Sequence, residues 1–489
     1  MSSDQNRRWV YLWPIAYRQE ERQTLEVSVH TLHPKRRNWW YSESHGQTTS
    51  IVIYTDIEGR ECTIIPIPIR RSTCNPRELT FLRPISRWLQ VCTQDHSGCW
   101  SEGVPLPARV LDVSVATDSD DRVSLYASRG ETGVYASLSY CWGDALPLRT
   151  TQSTYRDRQN GISFHQLPRT LQDAVTVTRA LGIKYLWIDA LCIVQDSQED
   201  WEIQSSNMAA IYKNAYVVIA ADIAKDCNSG FLPRKSQQTS ERVLAKVASS
   251  SDDSECVIYG RVLRKHGGAE SSSGGFSAES IRPLGERAWT LQEEVLASRI
   301  IHFAHDELYW ECQSDSLCEC MDMDQDKTTF SPASWSPRAV FSRCRDSKNA
   351  KETFSSWTRL VQNYRRRNIT KRMDRLPALS GIVKEISDAG EHGRYLAGLW
   401  SAHLPEALLW GARASYARRV FPYRAPSWSW ACLEKSPGYD ESDFIIDYGT
   451  TLEKVYTTIL ETECTPSGKD PFGTVSGGQI RLTAPLLEV

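Results

Sequence analysis

The sequence predicts an α/β fold, a parallel sheet with flanking helices, followed by a mixed α+β C-terminal region. Three observations predict it. Tyr135-Ala-Ser-Leu-Ser-Tyr-Cys-Trp-Gly-Asp144 and Leu186-Trp-Ile-Asp-Ala-Leu-Cys192 are short, mostly apolar runs that each reach an Asp. A single helix-length segment, 167–182, separates them, the spacing of a βαβ unit. A further helical stretch then leads to a third apolar run, Tyr216-Val-Val-Ile-Ala-Ala221. Strands alternating with helices argue for a parallel sheet, and such sheets gather ligands at the carboxyl ends of their strands, where Asp144 and Asp189 fall.

Residues 1–75 form a β-leaning N-terminal segment with candidate strands at 27–32, 50–54 and 62–69, the last demoted to an edge by its prolines. Helical spacing begins after Pro84, with Ile85, Trp88, Leu89 and Cys92 on one face. In the 167–182 segment Thr170 and Asp173 have the spacing of a capping box, and Gly182 stops the helix. The next helix starts near Asp196 or Ser197, with Glu199, Asp200 and Glu202 placed to suit its dipole. Ser- and Gly-rich stretches at 248–256 and 267–280 read as flexible loops within an insertion near 225–284. A helix candidate at 285–297 and short strands at 299–303 and 307–310 close an α/β segment spanning 76–330. Residues 331–489 alternate loops with helical segments at 357–364, 376–386 and 394–410, then end in β-like pieces.

Composition sets bounds. At 489 residues the chain exceeds one average domain, and 24% charged with 40% hydrophobic residues is ordinary for a soluble protein. A net charge of −3 gives no general pull toward nucleic acid or anionic membranes. The N-terminus is polar and no apolar run is long enough to span a bilayer, so a cytoplasmic protein is expected, its 14 Cys being reduced thiols. The 17 Trp and 20 Tyr suggest aromatic packing as readily as a ligand groove.

Together the blocks Leu138-Ser-Tyr-Cys-Trp-Gly-Asp144, Leu167-Pro-Arg-Thr-Leu-Gln-Asp-Ala174, Trp187-Ile-Asp-Ala-Leu-Cys-Ile193 and Arg287-Ala-Trp-Thr-Leu-Gln-Glu293 resemble the fungal HET (heterokaryon incompatibility) domain. Asp374-Arg-Leu-Pro-Ala-Leu-Ser-Gly381, Tyr395-Leu-Ala-Gly-Leu-Trp400 and Ala425-Pro-Ser-Trp-Ser-Trp430 resemble its usual continuation, so the likeness runs from about residue 85 to 432. The resemblance implies non-self recognition and programmed cell death. It also implies a distant kinship with TIR domains, some of which cleave NAD, and hence a flavodoxin-like, TIR-like sheet and a Trp-x-x-x-Glu segment, met here by Trp289 and Glu293. The insertion between Ala221 and Trp289 departs from that pattern and puts strand-by-strand equivalence in doubt.

Glu293 is the foremost catalytic candidate, because an oxocarbenium-like transition state is stabilised by a carboxylate. The alternative places Glu293 and Glu294 on a solvated helix face, paired with Arg287 or Arg299. Asp189 either binds ribose hydroxyls or caps the following loop and pairs with Arg169 or Arg287. Asp144 and Gly143 form either a ligand approach or an Asx turn. Tyr140 and Trp142 either stack on a nicotinamide or adenine ring or pack in the core, and Ser139, Arg287 and Trp289 complete the candidate substrate site. Cys92-x-x-x-His96-x-x-Cys99 has soft ligands at a plausible metal spacing but no evident fourth, unless the Cys312, Cys318 and Cys320 group supplies it; no metal is assigned. Cys141 or Cys192 with His165 or His302 is imaginable as a nucleophilic pair, though no spacing supports it and small core residues explain these thiols. The short basic run Arg365-Arg-Arg367 with Lys371-Arg372 reads as a solvated helix face rather than a nucleic-acid patch.

Three functions follow: a nucleotide-cleaving enzyme with NAD as substrate and no required cofactor; a non-enzymatic death-signalling module acting through a homo-oligomer or a regulatory partner; or the same scaffold reused as a biosynthetic enzyme on a small organic substrate.

Overall fold

A computed structural model of the chain describes residues 10–16, 25–31, 49–55, 82–99, 103–114, 121–143, 148–232, 242–248, 255–263, 282–304, 308–318, 336–390, 392–412, 417–435, 446–448 and 456–485. These fall into two compact units. The smaller contains a five-stranded antiparallel sheet, in the order Val10–Ala16, Leu25–Thr31, Thr49–Thr55, Glu255–Leu263, Arg242–Ala248. Two of the strands expected near the N-terminus are present within it. Its last two strands come from the insertion: Glu255–Leu263 pairs with Thr49–Thr55, so the insertion completes a sheet begun far upstream. The 62–69 and 267–280 segments lie outside the described residues.

The larger unit is built on a nine-stranded sheet. Its centre is parallel: Tyr185–Trp187, Tyr135–Ser139, Val217–Ala220 and Arg299–Phe303 lie side by side in that order. Numbered along the chain, this is the order 2-1-3-4 of a flavodoxin-like sheet. The expected parallel sheet is therefore its core. Both margins are antiparallel, Arg109–Asp112 and Arg122–Ala127 beyond one side, Leu308–Cys312 and Ser316–Cys318 beyond the other. The central strands are buried along their whole length except Tyr185, as helices on both faces require of continuous apolar runs.

Helix Arg169–Ala180 links the first two parallel strands and Gln198–Asn214 the next two. The second begins at Ser197, whose hydroxyl accepts the Asp200 N–H at 3.2 Å. The capping box expected at Thr170 and Asp173 does not form. Thr170 donates instead to the Asp226 carbonyl at 2.9 Å, and Asp173 accepts the Phe231 and Leu232 N–H groups at 2.8 and 3.0 Å. Both side chains thus tie the helix start to the 226–232 loop.

Three further expectations are corrected. The 285–297 segment is a 3-10 turn, Pro283–Glu286, followed by a short helix, Thr290–Leu296. The 394–410 segment is not one helix: Tyr395–Leu396 and Leu399–Trp400 pair across a turn at Ala397 and Gly398, both with positive φ, and two 3-10 turns, Ser401–His403 and Glu406–Leu408, follow. A Cβ on Gly398 would lie 2.7 Å from the Trp430 ring, so the turn both bends the chain and admits the indole. The basic run is a solvated face only in part: Arg366, Lys371 and Arg372 are exposed, but Arg365 and Arg367 are buried. Arg365 is fully buried with its guanidinium 5.6 Å from the Trp430 ring centroid, and Arg367 reaches Glu294 at 3.2 Å.

The C-terminal helices, Pro337–Asp346, Ala350–Arg365 and Pro377–Ala389, share one apolar cluster with Leu291, Val295 and Leu296 of the short helix. Much of the chain's tryptophan is spent on packing, with Trp187, Trp310, Trp357, Trp400 and Trp430 fully buried. Among the described residues no helix is long and apolar enough to cross a membrane.

Gly381 marks the tightest approach in this packing: a Cβ there would meet Ala209 Cβ at 2.5 Å and Gln292 Oε1 at 2.8 Å. Alanine gains about 1 kcal/mol in helix propensity, but overpacking a filled interface costs about 1–3 kcal/mol. Gly381→Ala is expected to destabilise by about 1 kcal/mol in chemical denaturation; stabilisation would show that the two helices separate without cost.

Candidate functional site

The site forms where the strand order reverses, at the carboxyl ends of Tyr135–Ser139 and Val217–Ala220. In open α/β sheets this crevice collects ligands, because neighbouring connections leave in opposite directions. Glu293, on the short helix, enters it from above Ser139. Its carboxylate accepts the Ser139 hydroxyl and is 4% exposed, so it is not on a solvated face. Tyr212, from the Gln198–Asn214 helix, faces the same carboxylate and donates to the Leu138 carbonyl at 3.2 Å. The Arg287 guanidinium donates to the Tyr140 carbonyl and interacts with both Glu293 and Asp189.

Asp189 opens the turn after Tyr185–Trp187. It accepts the Trp142 indole N–H at 2.8 Å and the Ala190 N–H at 2.7 Å, so it caps its turn and faces Arg287 at once. The Tyr140 ring is buried; its hydroxyl makes no hydrogen bond of ordinary geometry among the described residues but feels the Asp189 charge. Trp142 and Asp189 are half-buried and form the more open side of the cluster.

The structure thus brings together Ser139, Tyr140, Trp142, Asp189, Arg287 and Glu293. Gly143 adjoins them, but its φ of +76° and the 2.3 Å that would separate a Cβ from Asp226 Cβ account for glycine by backbone packing alone. Asp144 lies outside the described residues. Trp289 points elsewhere, packing on the C-terminal apolar cluster beside the Asp374 carboxyl. Glu294 pairs with Arg367 rather than Arg287 or Arg299. Cys92, His96 and Cys99 belong to a separate cluster with Cys312.

Electrostatics separates the members. Burial pushes Glu293 up and Asp189 adds to this; Arg287 and the Ser139 and Tyr212 hydroxyls pull it down, leaving it at about 7. Burial also raises Asp189 against the opposing pull of Arg287. Burial pushes the Cys141 and Cys192 thiols up to about 11 and about 12, the reverse of what a nucleophile needs.

A second charged group was not foreseen from the sequence. Asp222, just past the Val217–Ala220 strand, contacts His302 Nδ1 at 3.0 Å and Arg282 at 3.2 Å. Glu311 lies 3.8 Å from His302 Nε2 and 3.6 Å from Arg338. Burial would pull His302 down, but Asp222 and Glu311 outweigh it and hold it at about 9. Burial would raise Asp222, but His302 and Arg282 keep it below the usual carboxylate range. The only available signal was position, a charged residue at the end of an apolar strand; its partners are contributed from 60 and more residues away.

Residues 135–293 match the family model described as Heterokaryon incompatibility protein (HET). The chain carries a HET domain. The match covers about a third of the chain and ends at Glu293, so the buried carboxylate is the last residue of the HET segment. No curated protein and no solved structure matches the chain.

Glu293 titrates near 7 when folded against 4.5 when free. The folded HET domain therefore holds the extra proton between those values, and stability falls as pH rises from about 4.5 to about 7, by about 3 kcal/mol in all. Glu293→Gln mimics the protonated form. It is expected to remove this slope and to raise the melting temperature at pH 8; a lower melting temperature at pH 8 would mean that the ionised carboxylate is a net structural asset.

Proposed function

We propose that the HET domain cleaves the N-glycosidic bond of NAD or a related nucleotide, and that this activity underlies a role in fungal non-self recognition and programmed cell death. The observation that carries the reading is a single buried carboxylate, Glu293, balanced near neutrality at the topological switch point beside Arg287 and Asp189. Breaking the bond between nicotinamide and ribose puts positive charge on the sugar. An ionised Glu293 stabilises that charge and holds ribose hydroxyls; in a dry site this acts more strongly than in water. Arg287 keeps part of the Glu293 population ionised and supplies a cation for an anionic nucleotide. Trp142 and Tyr140 offer ring surface at the half-buried side.

A second reading has its own observation. Ser139, Arg287 and Tyr212 already fill the space around Glu293, which also suits a bolt between helix and sheet in a non-enzymatic, self-associating death-signalling module.

Nicotinamide release from NAD by the purified full-length protein separates them. Release is expected, with kcat/KM falling as pH drops below about 7, where Glu293 takes up its proton. Glu293→Gln is expected to cut the rate about 10²–10³-fold while the circular dichroism spectrum is unchanged. No release at high protein concentration, with or without induced oligomerisation, would sink the enzymatic reading, and concentration-dependent self-association without turnover would favour the second.

A further inference from the structure

Four potential metal ligands from distant parts of the chain converge away from the Glu293 cluster. Cys92 lies in the last turn of helix Leu82–Asp95, and His96 and Cys99 in the turn after it. Cys312 ends the Leu308–Cys312 strand. One ligand atom from each lies within 4.8 Å of every other, and Cys312 Sγ is 3.5 Å from His96 Nδ1. In a tetrahedral zinc site with Zn–S near 2.3 Å and Zn–N near 2.0 Å, ligand atoms stand about 3.5–3.8 Å apart. The cluster needs only a slight contraction to reach that.

We propose that Cys92, His96, Cys99 and Cys312 form a structural zinc site. Two independent features of the surroundings support a metal over four idle side chains. The first is the orientation of His96. Its Nε2 meets the Asp315 carboxylate at 3.0 Å, which fixes the proton there and leaves the Nδ1 lone pair aimed at the three sulfurs. A carboxylate behind a histidine is the usual outer support of a zinc-bound imidazole. The second is charge. Three thiolates and a neutral imidazole around Zn²⁺ carry a net −1. Arg299, 1% exposed, places its Nε 3.3 Å from Cys92 Sγ, and the Ser314 and Asp315 N–H groups donate to Cys312 Sγ at 3.4 and 3.2 Å. A neutral thiol is a poor partner for a buried guanidinium, whereas a metal-bound thiolate is a good one.

The donor set also selects the role. All four positions come from protein and the three cysteines are buried, so no site remains open for water or substrate; this is the closed arrangement of structural zinc. The ion would staple the helix that begins the larger unit to the antiparallel margin of its main sheet. Leu308–Cys312 is the last strand but one of that margin and Ser316–Cys318 its edge, so the tie would lie where the sheet ends.

The test is metal analysis of the full-length protein, purified without a polyhistidine tag. About one zinc per chain is expected to survive gel filtration. Replacement by Co²⁺ is expected to give the visible bands and the near-ultraviolet sulfur-to-cobalt charge transfer of a tetrahedral thiolate site. Cys312→Ser and His96→Ala are each expected to lose the metal, while Cys344→Ser, at a buried thiol outside the cluster, keeps it. Asp315→Asn leaves all four ligands in place and is expected to weaken zinc about 10–100-fold in chelator competition. Wild-type protein that is folded yet binds neither zinc nor cobalt would overturn the proposal, as would a Cys92–Cys312 disulfide in native protein under non-reducing mass spectrometry.

Discussion

The larger unit is organised around the burial of one carboxylate. Placing Glu293 against Ser139 at the end of the Tyr135–Ser139 strand removes a charged group from water, a cost met only where several donors converge. Ser139 comes from the strand, Tyr212 from the helix that packs on it, and Arg287 from the chain just before Glu293 itself. Because Arg287 also answers Asp189, the ends of two parallel strands and one returning segment are fixed relative to each other. The Arg287–Leu296 segment cannot hold that position alone, since its helix has only seven residues. It is clamped from behind: Ala288 N–H donates to the Asn368 carbonyl at 2.8 Å, Arg367 bonds to Thr290 and Glu294, and Leu291, Val295 and Leu296 join the C-terminal apolar cluster. The region after residue 331 is thus the wall against which the HET carboxylate is pressed.

The sheet explains why this corner can exist. Order 2-1-3-4 sends the connection from Tyr135–Ser139 and that from Val217–Ala220 to opposite sides, which opens a crevice between their carboxyl ends. The antiparallel strands at both margins add width without covering the crevice. Ser139 faces Glu293, and Asp222, two residues past the neighbouring strand, faces His302 and Arg282.

Much of this was legible in the residues because the relevant signals are local. Apolar runs of strand length, a helix between them and an Asp at the turn specify a βαβ unit wherever the rest of the chain goes, and Asp189 opens the turn that follows the Tyr185–Trp187 strand. The Trp-x-x-x-Glu spacing found Glu293 but misplaced its companion. Trp289 sits at the helix cap and packs on the C-terminal apolar cluster beside Asp374, apart from the Ser139–Glu293 contact. The helical reading of 394–410 failed for a related reason. Apolar residues there serve two short strands and a turn, and period counting cannot see the Trp430 ring that dictates Gly398. Likewise Arg365 and Arg367 look like surface charge in any window, since their partners Trp430 and Glu294 are remote in sequence. In the sequence Cys312, Cys318 and Cys320 are all candidates to join Cys92, His96 and Cys99, and choosing Cys312 among them requires the fold.

The two buried acids at neighbouring strand ends show why location alone does not identify chemistry. Asp222 and Glu293 are equally removed from solvent, at 3% and 4% exposure. Asp222 has a protonated His302 and Arg282 against it, so its ionised form is favoured despite burial. Such a group gains from its surroundings and serves as a fastener. Glu293 has one cation shared with Asp189, the Ser139 hydroxyl as donor, the Tyr212 hydroxyl beside it and a nearby like charge, and its surroundings stop short of full compensation. A neutral residue of the same shape in that position would fold at least as well. The two acids therefore part company through their surroundings alone: His302 and Arg282 hold Asp222 down, while burial outweighs Arg287 and the hydrogen-bond partners of Glu293 and holds it up.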